Sequence, residues 1–182
     1  MSPRESHWTP PSSWCEHPDR WSAATADATE HEVTALVAAF VTALQPDIVV
    51  ETGCNTGQTS EAIGHALRGN GQGWLHTCDI DPDMIDLTRR RCEGLPVTTH
   101  HMPARVMPVP GKIGLLFLDS HAHERHLELE HFRPRLAPGA IVIVHDTAPH
   151  HPVHNYLAGA LWPDEQMLRL RTPRGVSVIQ CA

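Results

Sequence analysis

Ile48-Val49-Val50-Glu51-Thr52-Gly53-Cys54-Asn55-Thr56-Gly57-Gln58-Thr59-Ser60 runs from an apolar strand pattern into an acid, two spaced glycines and a helix start. Glycines at 53 and 57 let the backbone bend sharply and approach a ligand that a Cβ would keep away. About two dozen residues further on, Trp74 to Ile80 predicts a second strand, and its Asp79 is placed to take the two hydroxyls of a ribose. The order Gly-x-Gly-x-x-Gly is absent, so a pyrophosphate cradle of the dinucleotide type is not expected.

Outward from this turn the chain alternates. Val33, Leu36, Val37, Phe40, Val41 and Leu44 recur at steps of three and four, predicting an amphipathic helix over 29–44 that Pro46 stops. Strands are predicted at 47–52, 74–79, 97–101, 113–118 and 140–145, and helices at 57–68, 82–93, 122–133 and 152–160. Two last strands, 166–171 and 175–180, flank the hairpin signal Thr172-Pro173-Arg174. Such alternation means an α/β fold: a mostly parallel sheet with helices on both faces, and one antiparallel strand near the edge from the closing hairpin. Ligands bind at the carboxyl ends of strands in sheets of this kind, which puts Glu51, Asp79, Asp119 and Asp146 on one rim.

Residues 1–29 carry Trp8, Trp14 and Trp21 among Pro, Ser and Thr without periodicity, so they read as an irregular arm before a domain at 30–182. The three indoles need a surface: the body of their own subunit, a neighbouring one as in a homodimer, or a pocket that the arm covers as a lid.

At 182 residues the chain fits one domain. Fourteen Lys and Arg against 21 Asp and Glu leave a net charge of -7, which repels a phosphate backbone and argues against a nucleic-acid partner. The basic run Arg89-Arg90-Arg91 is expected on a solvated helix face. Five cysteines without a Cys-x-x-Cys pair suit reduced thiols in the cytoplasm rather than a disulfide framework or a zinc knuckle. No stretch of about 18 apolar residues suggests a membrane span, and no signal-like segment opens the chain.

A second constellation lies further on. Ile113 to Leu118 is a buried-type strand ending in Asp119-Ser120-His121-Ala122-His123, and Ile141 to Val144 repeats the design with His145-Asp146-Thr147. Carboxylates converging there repel unless a cation, a proton or a ligand amine lies between them. Oxygen ligands suit Mg2+, while imidazole shifts the preference toward Mn2+, Fe2+ or Zn2+. His126 and His131 are expected on a solvated helix face and His123 at a helix start. At least two of His150, His151 and His154 are assigned surface or capping roles.

Glu51-x-Gly53-x-x-x-Gly57 followed by Asp79-Ile80-Asp81-Pro82 resembles the first two motifs of class I S-adenosylmethionine-dependent methyltransferases. The strand-end acids resemble the metal site of the catechol O-methyltransferase-like, antibiotic-sugar O-methyltransferase and cephalosporin-hydroxylase-like group. That resemblance implies the strand order 3-2-1-4-5-7-6 and S-adenosylmethionine as cofactor. It implies cofactor binding by Glu51, Gly53, Gly57, Thr59, Asp79, Ile80, Ala104, Arg105 and Asp119. It also implies O-methylation of a small hydroxylated acceptor, assisted by a divalent cation on Asp119, His145 and Asp146, or metal-free with His121 or His145 as base beside Asp146. The third metal position falls on His145 or Thr147, neither of them the expected Asp, Glu or Asn. A lyase or cyclase consuming the same cofactor, and a non-catalytic binding module, fit the same motifs.

Overall fold

The computed structural model describes residues 12–157 and 167–181. Seven strands, β1 (Ile48–Thr52), β2 (Trp74–Asp79), β3 (Val97–His101), β4 (Ile113–Leu118), β5 (Leu136–His145), β6 (Met167–Leu170) and β7 (Val176–Gln180), form one sheet. Their order is β3-β2-β1-β4-β5-β7-β6, as the resemblance implies. Pairing is parallel from β3 through β5, and β7 alone runs against both its neighbours.

Five helices accompany it among the described residues: α1 (His31–Leu44), α2 (Gln58–Asn70), α3 (Pro82–Arg91), α4 (Arg125–Phe132) and α5 (Pro152–Leu157). Alternate residues of the strands feed two cores. Val49, Leu75, Leu115, Phe117 and Ile143 meet Val33, Val37 and Val41 of α1 and Ile63 and Leu67 of α2. Val50, Leu116, Leu118, Val142 and Val144 meet Leu129 and Phe132 of α4, with Val153 and Leu157 of α5. Burial on both faces explains why β4 and β5 read as unbroken apolar runs.

Local chemistry sets the boundaries. Gln45 adopts a left-handed cap and donates its N–H to Val41 O, ending α1 before Pro46 and leaving Leu44 exposed. Asp81 caps α3 by accepting the Asp83 N–H, with Pro82 in the first turn. β5 starts earlier than predicted, because the exposed Pro138 and Gly139 sit where its register with β4 shifts, rather than in a turn. Helix α4 begins three residues later than predicted: His121 to Glu124 form a turn closed by the Glu124 N–H on His121 O. The predicted ends of α5 (158–160) and the start of β6 (166) lie outside the described residues, as do residues 1–11 of the arm with Trp8.

Between β3 and β4 no α-helix intervenes. Residues 102–112 cross in one extended strip with a single 3-10 turn at Ala104–Val106, and Ala104, Met107 and Val109 enter the core. From residue 12 onward, the arm docks on its own chain. The Trp14 indole N–H donates to Thr172 O at 3.0 Å, and the Arg171 guanidinium lies 5.8 Å from its ring centre.

Candidate functional site

A cavity of about 820 Å³ opens at the carboxyl ends of β1, β2, β4 and β5. Its size falls within the range of roughly 300–1,000 Å³ usual for ligand pockets. Glu51, Gly53, Thr59, Asp79, Ile80, Ala104, Arg105, Asp119, His121 and Asp146 all line it, so most of the expected site residues share one space.

Gly53 has φ +76, and a Cβ there would lie 2.6 Å from Asp119 O and 2.8 Å from Ser120 Cα. The turn after β1 therefore touches the end of β4, and only glycine permits it. Gly57 has a different role from the expected one: it is the left-handed N-cap of α2, and its missing Cβ makes room for Thr88 of α3 rather than for a ligand.

Four of the turn's N–H groups bond within the protein. Those of Gly53 and Cys54 donate to Cys78 O, that of Gly57 to Cys54 O, and that of Asn55 to Asp79 Oδ2 at 3.0 Å. Asp79 also accepts the Asp81 N–H on Oδ1, so its carboxylate is held at the rim of β2 with lone pairs to spare.

Glu51 is buried behind this turn. Its Oε2 accepts 2.7 Å from Thr77 Oγ1 and also takes the Ser60 hydroxyl. Burial outweighs those hydrogen bonds and pushes its pKa up to about 7. Glu128, another buried acid of the cavity wall, accepts from Thr52 and Ser120 hydroxyls at 2.8 Å and is likewise raised by burial. Burial also pushes the Cys54 thiol up to about 12, which removes it as a nucleophile. All five cysteines are free and buried.

Asp119, His145 and Asp146 do meet, as expected, but in company the spacing did not reveal. Nη2 of Arg125 donates to Asp119 Oδ1 at 3.1 Å and to Asp146 Oδ2 at 2.8 Å. Arg174, from the turn between β6 and β7, puts Nη2 3.0 Å from Asp146 Oδ2 and Nε 2.5 Å from Oδ1. Nδ1 of His145 lies 2.9 Å from Asp119 Oδ1, and Nε2 lies 2.6 Å from Glu30 Oε2. Thr29 donates its hydroxyl to Asp119 Oδ2 at 2.5 Å. Asp146 itself sits in a left-handed conformation, φ 62, which the two arginines hold in place.

The charges close. Burial opposes ionisation of His145, but Asp119, Asp146 and Glu30 more than offset it and push the pKa up to about 10. Burial likewise opposes the charge on Asp119 and Asp146, yet His145 and Arg125 hold both below the ordinary carboxylate range. Glu30, Asp119 and Asp146 thus face Arg125, Arg174 and an imidazolium.

His145 is therefore a structural cation: it is fully buried and forms no part of the cavity wall, so it does not act as the expected base. Thr147 is turned away too, its hydroxyl 2.9 Å from Ser177 Oγ. The imidazoles on the wall are His121, His123 and His151. His151 Nε2 lies 3.6 Å from Asp146 Oδ1, and burial lowers its pKa, which keeps the ring neutral. His154 makes a backbone contact with Thr147 O at 3.3 Å. His126 departs from its expected solvated place and stacks on Tyr156, ring centres 5.1 Å apart. Arg89 stays exposed, paired with Asp86 at 2.5 Å.

The arm completes the wall with Asp27, Ala28 and Thr29. Arg174 Nη1 holds it through Ala28 O at 3.0 Å, and Asn55 Nδ2 reaches Asp27 O at 3.3 Å. Both intramolecular readings of the arm have a counterpart here: its Trp14 packs on the body while its last residues border the pocket. Glu30, Arg125 and Arg174 were missed because the contacts that unite them cross 115, 21 and 28 residues, and no local pattern signals such pairs.

Among solved structures, a methyltransferase of Podospora anserina (PaMTH1, bound to SAH) superposes with a TM-score of 0.75 at 17% identity, covering 98% of this chain and 91% of that one. An O-methyltransferase of Bacillus cereus, in complex with SAH, gives 0.69 at 12% identity, with 87% and 84% covered. The O-methyltransferase TomG of Streptomyces achromogenes, in complex with SAM, gives 0.66 at 18% identity, with 85% and 82% covered. These likenesses show the fold. No curated protein sequence matches the chain. The pattern of a family described as "Methyltransferase domain" matches residues 50–147, more than half of the 182 residues, and runs from within β1 to just past the end of β5. The chain belongs to this methyltransferase domain family.

Proposed function

We propose that the chain transfers the methyl group of S-adenosylmethionine to a hydroxyl oxygen of a small acceptor. The observation that carries this reading is one cavity lined both by Asp79 and the Gly53 turn and by Asp119, Asp146 and His151. Asp79 takes the ribose hydroxyls, Ile80 and Ala104 flank the adenine, and the N-terminal end of α2 at Thr59 faces the cofactor's carboxylate. Glu51 and Asp119 supply negative charge for the ammonium and sulfonium. That TomG and the Bacillus cereus enzyme are O-methyltransferases supports oxygen as the receiving atom.

In the transfer, the acceptor oxygen attacks the methyl carbon in line with the C–S bond. The C–O bond forms as C–S breaks, the electron pair stays on sulfur as a neutral thioether, and the hydroxyl proton must leave the oxygen. His151 receives that proton: it is neutral near pH 7, borders the cavity, and has Asp146 beside it to stabilise the imidazolium formed. We also infer a cytosolic setting, which suits five free buried thiols.

The experiment is calorimetric titration with S-adenosylmethionine and S-adenosylhomocysteine, then mass analysis of cofactor incubated with and without a panel of small hydroxylated compounds. Binding of both, with S-adenosylhomocysteine and a methyl ether appearing only with an acceptor, is the expected result. Methylthioadenosine formed without any acceptor would replace methyl transfer by a lyase or cyclase reaction. No binding of either ligand would overturn the cofactor assignment.

A further inference from the structure

Asp119, His145 and Asp146 each offer one ligand atom, all within 4.8 Å of one another, which is the donor set the family resemblance assigns to a divalent cation. The residues around them do not fit an ion. A ligating imidazole keeps one nitrogen for the metal and gives the other to a carboxylate or carbonyl. His145 gives both to carboxylates, Asp119 on one side and Glu30 on the other.

The oxygens are committed as well. Asp119 Oδ1 faces Arg125 and His145, and Oδ2 faces Thr29. Both oxygens of Asp146 face Arg174, and Oδ2 also takes Arg125. In the cluster Glu30 Oε1 and Asp146 Oδ1 are the oxygens without a hydrogen bond, the latter ion-paired with Arg174, and two oxygens do not hold a hard cation that takes six or more.

Arg125 occupies the point between the two acids. Four hydrogen bonds fix its guanidinium: to Ser120 O, His145 O, Asp119 Oδ1 and Asp146 Oδ2. A metal ion there would have to displace a side chain that is 3% exposed and leave its charge buried elsewhere, at a cost that rises steeply out of water.

We propose that this chain uses its own side chains in place of the divalent cation that the resemblance implies, with Arg125 bridging Asp119 and Asp146 and Arg174 closing the outer side as a permanent internal counter-ion. Methyl transfer then proceeds without a metal. The consequence for substrate, which rests on the methyl-transfer reading, concerns acceptor class: without an ion to chelate, the acceptor needs no second oxygen next to the one methylated. Lone hydroxyls are accepted as readily as vicinal pairs.

The test uses metal-free protein saturated with S-adenosylhomocysteine and titrated with MgCl2 or MnCl2, reading heat and the thermal midpoint. Wild type is expected to show no saturable heat at millimolar ion and no shift of the midpoint. Arg174→Met removes one built-in charge from the cluster's outer side and is expected to gain Mn2+ binding. If Arg174→Met folds and still takes no Mn2+, Arg174 is not a counter-ion and the proposal fails. One equivalent of ion bound by wild type, with Mn2+ broadening the Arg125 side-chain N–H resonance, would overturn it. Binding that leaves that resonance sharp places the ion elsewhere and leaves the proposal standing. Failure of S-adenosylhomocysteine itself to bind would count against the cofactor reading alone, because the ion titration can be run on the free chain.

Discussion

Glu30 Oε2 lies 2.6 Å from His145 Nε2, joining the residue before α1 to the last residue of β5 across 115 positions of sequence. Both side chains are almost wholly buried, so neither charge has water to fall back on. Removing one partner of such a pair costs about 3–5 kcal/mol, because the other is left uncompensated. Glu30→Ala is expected to lose stability on this scale in urea titration, and Glu30→Gln less, since its carbonyl still accepts from the imidazole.

The charge on His145 also sets a pH window. Its folded pKa is raised to about 10 from a usual value near 6.5. The stability it contributes is complete below pH 6.5 and is lost as pH rises through 10. Unfolding free energies of wild type and His145→Asn, measured from pH 6.5 to 10, are expected to converge toward the alkaline end. A constant gap would mean that the imidazole is neutral throughout.

Glu51 behaves in the opposite sense when ligand arrives. Burial holds its pKa near 7, and a cationic cofactor beside it favours the carboxylate. S-adenosylmethionine is expected to release a fraction of a proton on binding at pH 6.5 and to bind more weakly as pH falls. Calorimetry in buffers of different ionisation enthalpy reads that proton directly, and identical heats in all of them would contradict the linkage.

Asp79 has two duties, holding the Asn55 and Asp81 amides and, on our reading, the ribose. A charge-assisted hydrogen bond is worth about 1.5–3 kcal/mol, so Asp79→Ala is expected to weaken cofactor binding by roughly 10- to 150-fold. Asp79→Asn keeps one acceptor oxygen for one of the two amides and should lose less.

Gly53→Ala tests the contact between the turn and β4. The new Cβ meets Asp119 O and Ser120 Cα from a left-handed backbone, and neither atom is at the end of a flexible chain. A loss of about 1–3 kcal/mol in stability is expected, with weaker cofactor binding, since Asp119 must shift.

Much of this architecture was legible in the order of residues. Ile48 to Val50 and Ile113 to Leu118 are short apolar runs, so their pattern has one reading, and Pro46, Gly57 and Pro82 mark where helices stop or start. The onset of α4 was not legible, because His121-Ala122-His123-Glu124 suits a turn as well as a helix and the choice falls to Arg125, pulled inward by two acids. For the site, the rim acids could be placed from strand ends, and their need for a neutralising charge followed from their convergence. The identity of that charge did not follow, since Arg125, Arg174 and Glu30 come from separate elements joined only by the folded sheet. His145 was misassigned as a base for a related reason: its place at a strand end said that it was near the pocket, not which way its ring would point.

The strip between β3 and β4 bears on how a ligand gets in. Its own amides bond locally or to the end of β2, such as Met102 N–H on Asp79 O and Met107 N–H on Ala104 O, rather than into a run of strand pairing. Yet Met102 to Arg105 form one side of the cavity. Deuterium from heavy water should therefore reach these amides before those of β1 or β4, and a bound nucleoside should slow that uptake.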